Sequence, residues 1–385
     1  MHSILIAPAA FKGTLSAKKA ATVIEGVLRE QRKSDEITLD ICPLADGGDD
    51  TLVVLLENDS GYESHQVTVA GPLLGQSVQT KWIKHSQKKM IIVEAAQAHG
   101  MARLPNNKLD ALNTTSYGVG EIILAALNSL KDPTDWTVVV TLGGSASTDG
   151  GAGALQALGY EFIDEQAESI QVPITGAQVS NIRAVSEAAL PPVKFIIATD
   201  VINPLLGQDG AAYIFSPQKG AEWEDVLTLE INLTNFATLM KQATEKDLSP
   251  TPGAGAAGGL GFGLAHLPGA SLVSGSQWIS EALDIPNRIA KSDLIITGEG
   301  RFDRQSMSGK GTGYILSLAL SPKLQKPCVV FCGRQEKGMV IDKLVSVFPM
   351  VSTEVDPEEA IARPQQTLRN TVLAALPNLK LDPEP

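Results

Sequence analysis

Short runs of β-branched and other apolar residues recur along the chain, and each is followed by a glycine-rich or acidic turn. A helical pattern follows several of these turns. The runs cover residues 3–8, 89–96, 136–144, 194–200, 292–300 and 327–333. Strands that are apolar on both faces and alternate with helices are typical of parallel or mixed sheets covered by helices. The alternation therefore predicts an α/β fold.

Residues 58–92 depart from this alternation, because they hold shorter alternating segments, a Gly-Pro turn and almost no helical signal. This pattern indicates an antiparallel patch. The strand–helix alternation resumes near Asp293, and a length of 385 residues predicts more than one domain. We expect two α/β domains. One is a Rossmann-like, three-layer α/β/α domain built from residues 1–65 and 280–385, and the other is an inserted mixed-sheet domain of residues 66–279.

Composition restricts the partners of the chain. The 31 Lys and Arg residues against 43 Asp and Glu residues give a net charge of −12, which argues against nucleic-acid and anionic-membrane partners. No apolar run approaches the roughly 18 residues of a membrane span, and the N-terminus lacks signal-peptide features. The 3 cysteines are too few for a disulfide framework, and Cys328 and Cys332 are expected to be buried and inert. We expect a cytoplasmic monomer or homodimer that acts on small molecules.

The densest glycine cluster lies in residues 141–159, where a strand runs into a glycine-rich turn and then into a helix. Backbone N–H groups that converge before a helix N-terminus can bind phosphate. The candidate ligand-binding residues are Gly143, Gly144, Ser145, Ser147, Asp149, Gly150 and Gly151. Asp149 is a candidate Mg²⁺ ligand, and Gly150→Val is expected to reduce nucleotide affinity more than stability. The alternative is a tight strand-to-helix crossover in which Asp149 caps the helix, and the sequence leaves both open.

A second glycine cluster, residues 251–263, contains the spacing G-x-G-x-x-G at Gly253, Gly255 and Gly258. Pro250 and Pro252 stand where a dinucleotide-binding motif requires a strand. The cluster therefore indicates a flexible or close-packed loop that lets the backbone approach a ligand or another helix.

Acidic turns follow three of the predicted strands, in residues 44–50, 198–207 and 296–311. Ligands of α/β proteins gather beyond the carboxyl ends of the strands. A single acidic residue there more often caps a turn, whereas several such turns favour a binding site. The candidate side chains are Lys12, Asp46, Asp200, Glu299, Arg301, Asp303 and Lys310.

Taken together, these segments resemble the bacterial glycerate kinase family, of the type that makes 2-phosphoglycerate. Ten blocks carry the resemblance in order, over nearly the whole chain: IAPAAFKGTLSA, PLADGGDDT, VAGPLLG, EAAQAHGM, NTTSYGVGE, LGGSASTDGGAGALQALG, ATDVINPLLG, FSPQKGA, PGAGAAGGLGFG and ITGEGRFDRQSMSGKG. The resemblance implies a two-domain α/β fold with an inserted domain. It also implies ATP, Mg²⁺ and D-glycerate as ligands.

The resemblance implies transfer of the ATP γ-phosphate to a hydroxyl of D-glycerate, with 2-phosphoglycerate preferred over 3-phosphoglycerate as product. On this basis the nucleotide phosphates lie against residues 143–151 and Lys310. The metal ligands come from Asp149, Asp200, Glu299 and Asp303. The expected catalytic residues are Asp200 as proton acceptor, Arg301 for the substrate carboxylate, and Lys12. The sequence does not separate Asp200 from Asp46 as the proton acceptor.

The chain departs from the family pattern in its first two blocks. The family usually has Asp-Ser where this chain has Ala9 and Ala10, and Glu-Gly-Thr where it has Asp49-Asp50-Thr51. Two alternatives therefore stay open: a catalytically impaired homologue that binds a metabolite, and a kinase for another small hydroxy acid. Glycerate-dependent release of ADP distinguishes them from a glycerate kinase.

Overall fold

The structure is a computed structural model that describes residues 2–11, 13–32, 36–45, 50–105, 108–304, 306–308, 311–352 and 355–379. Three candidate residues, Lys12, Asp46 and Lys310, lie outside the described residues.

The described residues form strands and helices in alternation. The strands are β1 (His2–Pro8), β2 (Ile37–Ile41), β3 (Tyr62–Ala70), β4 (Ser77–His85), β5 (Met90–Glu94), β6 (Thr137–Thr141), β7 (Glu161–Ile163), β8 (Ala184–Ser186), β9 (Lys194–Ala198), β10 (Ala270–Val273), β11 (Leu294–Phe302), β12 (Cys328–Gln335) and β13 (Val345–Pro349). The helices are α1 (Ala17–Gln31), α2 (Thr51–Asn58), α3 (Ala96–His99), α4 (Tyr117–Asn128), α5 (Ala152–Ala157), α6 (Ala211–Phe215), α7 (Trp223–Thr244), α8 (Ala256–Ala265), α9 (Gly275–Ala282), α10 (Ile285–Lys291), α11 (Gly311–Ala319), α12 (Pro357–Ala362) and α13 (Pro364–Ala375).

The chain divides into two compact units. Residues 1–46 and 276–385 form the first unit, and residues 47–275 form the second. The sequence placed the first junction after residue 65, but residues 47–65 group with the second unit, where α2 packs on β3 and β5. That the units are separate folding domains stays a prediction.

The first unit is built on a five-stranded sheet in the order β13-β12-β11-β1-β2, and all of its strand pairs are parallel. One face packs on α1 and α13 through a core that includes Ile4, Ile296 and Phe331. Residues on the opposite face, such as Leu5 and Ile295, are also fully buried, and α10 and α11 contact this sheet. Helices that cover both faces of a parallel sheet define the α/β class, so the predicted fold class is confirmed.

The second unit contains a six-stranded mixed sheet in the order β10-β9-β6-β5-β4-β3. The pairs among β10, β9, β6 and β5 are parallel, whereas β4 pairs antiparallel with both β5 and β3. The antiparallel patch predicted for residues 58–92 is therefore confirmed. It adds two strands to one edge of a parallel sheet whose other strands alternate with helices.

The cysteines of the described residues agree with the prediction of buried, inert thiols. Cys42, Cys328 and Cys332 are buried as free thiols, and burial raises the pKa of each to about 12. A thiol with so high a pKa is a poor nucleophile, as predicted for Cys328 and Cys332. Among the described residues, no helix combines the length and apolar character needed to cross a bilayer.

Candidate functional site

Four parallel strands of the second unit end in register. Glu94, the last residue of β5, pairs with Thr141 of β6, which pairs with Ala198 of β9, which pairs with Val273 of β10. Polar and glycine residues occur at or just beyond these strand ends. They therefore lie along one edge of the sheet, where ligands of α/β proteins bind.

The edge carries a carboxylate beside a glycine turn. Gly143 and Asp200 each stand two residues beyond a paired strand end, on the neighbouring strands β6 and β9. Gly143 and Gly144 reach the surface, and Asp200 is half-buried, with one oxygen accepting a hydrogen bond from the Ser274 hydroxyl at 2.9 Å. At the β5 end, buried Glu94 accepts the backbone N–H of Leu52 at 3.2 Å. This edge therefore combines exposed turn backbone with a carboxylate that can accept a proton.

Asp149 follows the Gly143–Gly144 turn in the chain and is fully buried. Its carboxylate accepts four hydrogen bonds, from the N–H and hydroxyl of Ser116, both at 2.7 Å, and from the N–H groups of Gly151 and Gly153 at 3.2 and 3.3 Å. Burial raises the pKa of Asp149, and these donors oppose that rise. The residue thus joins the N-terminus of α4 to that of α5, as a helix-capping residue does.

A fully buried lysine and histidine lie in the same polar cluster. The Lys219 ammonium donates to the Ser145 hydroxyl at 2.9 Å and to the Ser147 carbonyl at 2.5 Å. Burial lowers the pKa of Lys219 to about 7, although the Asp149 carboxylate acts to raise it. Nδ1 of His99 lies 3.0 Å from the Ser147 hydroxyl, and burial lowers the pKa of His99 to about 3.

The second glycine cluster packs directly against the first. The N–H of Gly150 donates to the carbonyl of Gly258 at 3.0 Å. Gly258 has a φ of +70°, and a Cβ there would overlap the carbonyl oxygen of Ser147. A Cβ on Gly263 would lie 2.7 Å from the Gly150 carbonyl oxygen, closer than real contacts allow. The close-packed interpretation of residues 251–263 is therefore confirmed.

The first unit carries its candidate residues on the last part of β11. The pairing of β11 with β1 ends at Gly298, and Glu299 and Arg301 continue β11, where they pair with Cys332 and Arg334 of β12. The Arg301 side chain is 72% exposed, and its Nε lies 2.9 Å from a carboxylate oxygen of Asp303. Asp303 also accepts the N–H of Ser306 at 3.2 Å, so it holds both the turn and the guanidinium.

Comparisons with known proteins identify the family. The family model described as the glycerate kinase family matches residues 4–378. The chain belongs to the glycerate kinase family. It is 37% identical to glycerate 2-kinase of Escherichia coli K12 over 360 residues, which are 91% of each chain. It is 33% identical to glycerate kinase of Bacillus subtilis 168 over 385 residues, with 98% of each chain covered.

A solved structure agrees with this assignment to the glycerate kinase family. A crystal structure provisionally described as glycerate kinase 2 from Salmonella typhimurium LT2 is 30% identical to this chain and superposes with a TM-score of 0.77. The match covers 98% of this chain and 99% of that one.

The geometry divides the predicted site residues of this family member into buried and exposed groups. Asp149 is fully buried and both of its oxygens accept hydrogen bonds from the protein, an arrangement that favours the helix-capping alternative over a Mg²⁺ ligand. Ser147, Gly150 and Gly151 are buried against other segments. Of the predicted glycine-loop residues, Gly143 and Gly144 reach the surface, and Ser145 is 5% exposed.

Sequence reasoning missed Glu94, His99 and Lys219. Glu94 and His99 lie in the block EAAQAHGM and Lys219 lies in FSPQKGA, so the resemblance included their segments but not their roles. The turn Pro217–Lys219 follows α6, and Gly220, with a φ of +93°, ends it. A local signal was therefore present, because Pro and Gly around a lysine mark a tight turn.

Gly150→Val is expected to lower stability by about 2–4 kcal/mol, which reverses the sequence-based expectation. A Cβ at Gly150 would lie 2.9 Å from Phe236 and 3.0 Å from Leu233, at a φ of +67°. Urea denaturation measures the loss. Gly75→Val is the matched control, since Gly75 has a φ of +76° and no atom lies within 4 Å of the position that its Cβ would occupy. Equal losses in the two variants would contradict a steric cause.

Acidification below pH 6.5 is expected to destabilise the protein through His99. The folded protein keeps this ring neutral because burial lowers its pKa to about 3, whereas the unfolded chain binds a proton near pH 6.5. Unfolding therefore takes up a proton between these values, and stability falls by at most about 1.4 kcal/mol per pH unit. Urea titrations from pH 7 to pH 4.5 should show a shallower decline for His99→Asn. An unchanged decline would contradict the role of this ring.

Proposed function

We propose that the chain transfers the γ-phosphate of ATP to a hydroxyl of D-glycerate and makes 2-phosphoglycerate. Membership of the glycerate kinase family supports the substrate. The observation that carries the proposal is the placement of the Gly143–Gly144 turn and Asp200 at the ends of neighbouring parallel strands.

Phosphoryl transfer needs positioning and charge neutralisation more than covalent chemistry. Neighbouring strands lie about 4.8 Å apart, so a phosphate at the Gly143–Gly144 turn would lie close to the Asp200 carboxylate. In this arrangement the turn binds the nucleotide phosphates through its backbone, and Asp200 accepts the proton of the attacking hydroxyl. Ser274 orients Asp200 through its hydrogen bond.

The carboxylates present are chemically suited to Mg²⁺, which proteins usually hold with one or two carboxylates and substrate phosphates. Among the described residues, no group of three or more His, Cys, Asp or Glu side chains forms a ready-made metal cluster. We propose Asp200, beside the Gly143–Gly144 turn, as one of the carboxylates that would hold the ion. When bound, Mg²⁺ would neutralise charge on the transferred phosphoryl group.

Arg301 is the proposed partner of the substrate carboxylate, since a guanidinium matches a carboxylate in geometry and charge. Its exposed side chain is held by Asp303 through Nε. This contact makes Asp303 an orienting residue for Arg301 in our proposal, rather than a ligand of the metal.

The test is a coupled assay of ADP release with ATP, Mg²⁺ and a panel of small hydroxy acids. We expect ADP release that depends on D-glycerate, and a product that phosphorus NMR identifies as the 2-phosphate. Glycerate-independent ADP release, or none from protein shown to be folded by circular dichroism, would overturn the proposal. A preference for another hydroxy acid would favour the second kinase alternative.

Ala9 and Ala10 motivate the impaired-homologue alternative. They follow β1, and the N–H of Ala9 donates to the carbonyl of Gly298 at 2.8 Å. The double variant Ala9→Asp/Ala10→Ser separates the alternatives in the same assay. A wild-type chain that is inactive with glycerate, together with an active double variant, would support the impaired homologue.

A further inference from the structure

Lys219 is a buried charge with neutral hydrogen-bond partners. Its side chain is 2% exposed, and its ammonium donates to the hydroxyl of Ser145 and the carbonyl of Ser147. Burying an ammonium group costs free energy that uncharged donors would not cost. Two hydrogen bonds to neutral groups do not by themselves require a lysine, so its charge calls for a separate explanation.

The position of Lys219 supplies that explanation. Ser145 directly follows the exposed Gly143–Gly144 turn, and backbone hydrogen bonds also hold this turn in place. There the N–H of Met101 donates to the carbonyl of Gly144 at 2.8 Å, and the N–H of Ala146 donates to the carbonyl of His99 at 2.7 Å. The ammonium therefore lies on the protein side of a turn whose outer side faces solvent.

We propose that Lys219 is a positioning residue that holds the Gly143–Gly144 turn from inside and supplies the positive charge that a phosphate bound outside the turn requires. This inference rests on the proposed function. The charge acts through the turn, so Lys219 orients the phosphate-binding backbone without touching the nucleotide.

The other groups described around Lys219 do not supply the positive charge that this role requires. His99, from α3, stays neutral above pH 4 because burial lowers its pKa to about 3. Asp149 is held by its own four donors at the starts of α4 and α5. The segment containing Gly258 contributes backbone and no charge. Since burial lowers the pKa of Lys219 to about 7, a phosphate dianion nearby would favour its protonated form.

Nucleotide binding is therefore expected to take up a proton at Lys219. Isothermal titration with Mg²⁺-ADP from pH 6.5 to pH 8.5, in two buffers of different ionisation enthalpy, measures both Kd and proton uptake. Wild-type Kd should rise roughly fivefold to tenfold over this range, with uptake of a fraction of a proton per nucleotide near pH 7.5. Lys219→Met should bind more weakly, and its profile should lose this rise.

Lys241→Met is the matched control, since Lys241 is an exposed lysine paired with Asp247 on the surface. Its pH profile should equal that of the wild type. The nucleotide itself titrates in the same way with every variant, so the difference between the profiles of wild type and Lys219→Met reports on Lys219 alone. Lys219→Arg, which keeps its charge at every pH tested, should bind with a flat profile.

The outcomes separate the two proposals. A folded wild type that binds no Mg²⁺-ADP at any pH overturns the proposed function, and this inference falls with it. Binding by the wild type without proton uptake overturns the role of Lys219 alone, and this measurement requires no variant. Uptake that persists unchanged in Lys219→Met or Lys219→Gln would also overturn it.

Discussion

Asp200→Asn is expected to lower kcat by about 10²–10⁴-fold, the range typical of a lost general base. The substitution keeps the shape and the contact with Ser274 while it removes the charge that accepts a proton. Because Asp200 is half-buried at a strand end and not in the core, the melting temperature of the variant protein should stay close to that of the wild type. Glycerate-dependent ADP release under saturating substrate measures the effect.

Asp209→Asn is the control for Asp200→Asn, because Asp209 is an exposed aspartate on the segment that follows β9. It should keep wild-type kcat. Ser274→Ala removes a single hydrogen bond to Asp200 and should lower kcat by a smaller factor than Asp200→Asn. A kcat for Asp200→Asn within threefold of wild type would assign the proton transfer to another residue.

Asp149→Ala is expected to lower the free energy of unfolding by about 3–5 kcal/mol, because it removes the acceptor of four buried hydrogen bonds. The N–H groups of Ser116, Gly151 and Gly153 would lose their acceptor in the protein interior. Urea denaturation measures the loss, and the melting temperature should fall by roughly 10 °C.

Asp164→Ala is the control for Asp149→Ala, because Asp164 also accepts two backbone N–H groups, those of Gln166 and Glu168, but in an exposed turn. It should cost less than about 1 kcal/mol. For Asp149→Asn, the Mg²⁺ concentration that gives half-maximal activity should match wild type. A stable Asp149→Asn with a tenfold higher Mg²⁺ requirement would support Asp149 as a metal ligand.

The parallel strands could be predicted from the sequence because each is a short apolar run that ends at a turn. The run 194–200, for example, contains β9 and places Asp200 just past its end. The antiparallel patch could be predicted because β3 and β4 alternate polar and apolar residues on a half-exposed sheet. Local patterns of this kind arise from the two faces of a strand, so they are visible without tertiary information.

The inner part of the site could not be predicted, because it depends on contacts between distant segments. Glycine permits close approach to a ligand and close approach to another backbone equally well. Gly150 meets Gly258, 108 residues later, so its packing role appears only in the fold. Lys219 donates a hydrogen bond to Ser145, 74 residues away, so this contact too appears only in the fold. Sequence alone therefore left the ligand-binding and the packing interpretation of residues 143–151 both open.

The distribution of the buried cysteines makes the opening of the two units separately measurable. All 3 cysteines, Cys42, Cys328 and Cys332, lie in the first unit. In the second unit, Trp82 and Trp136 are 3% and 8% exposed. A thiol reagent in mild denaturant therefore reports when the first unit opens. Trp278, 9% exposed, lies in the first unit, so indole fluorescence reports on the second unit alone once Trp278 is replaced by Phe. The order in which the two units of this enzyme unfold can then be followed without an introduced label.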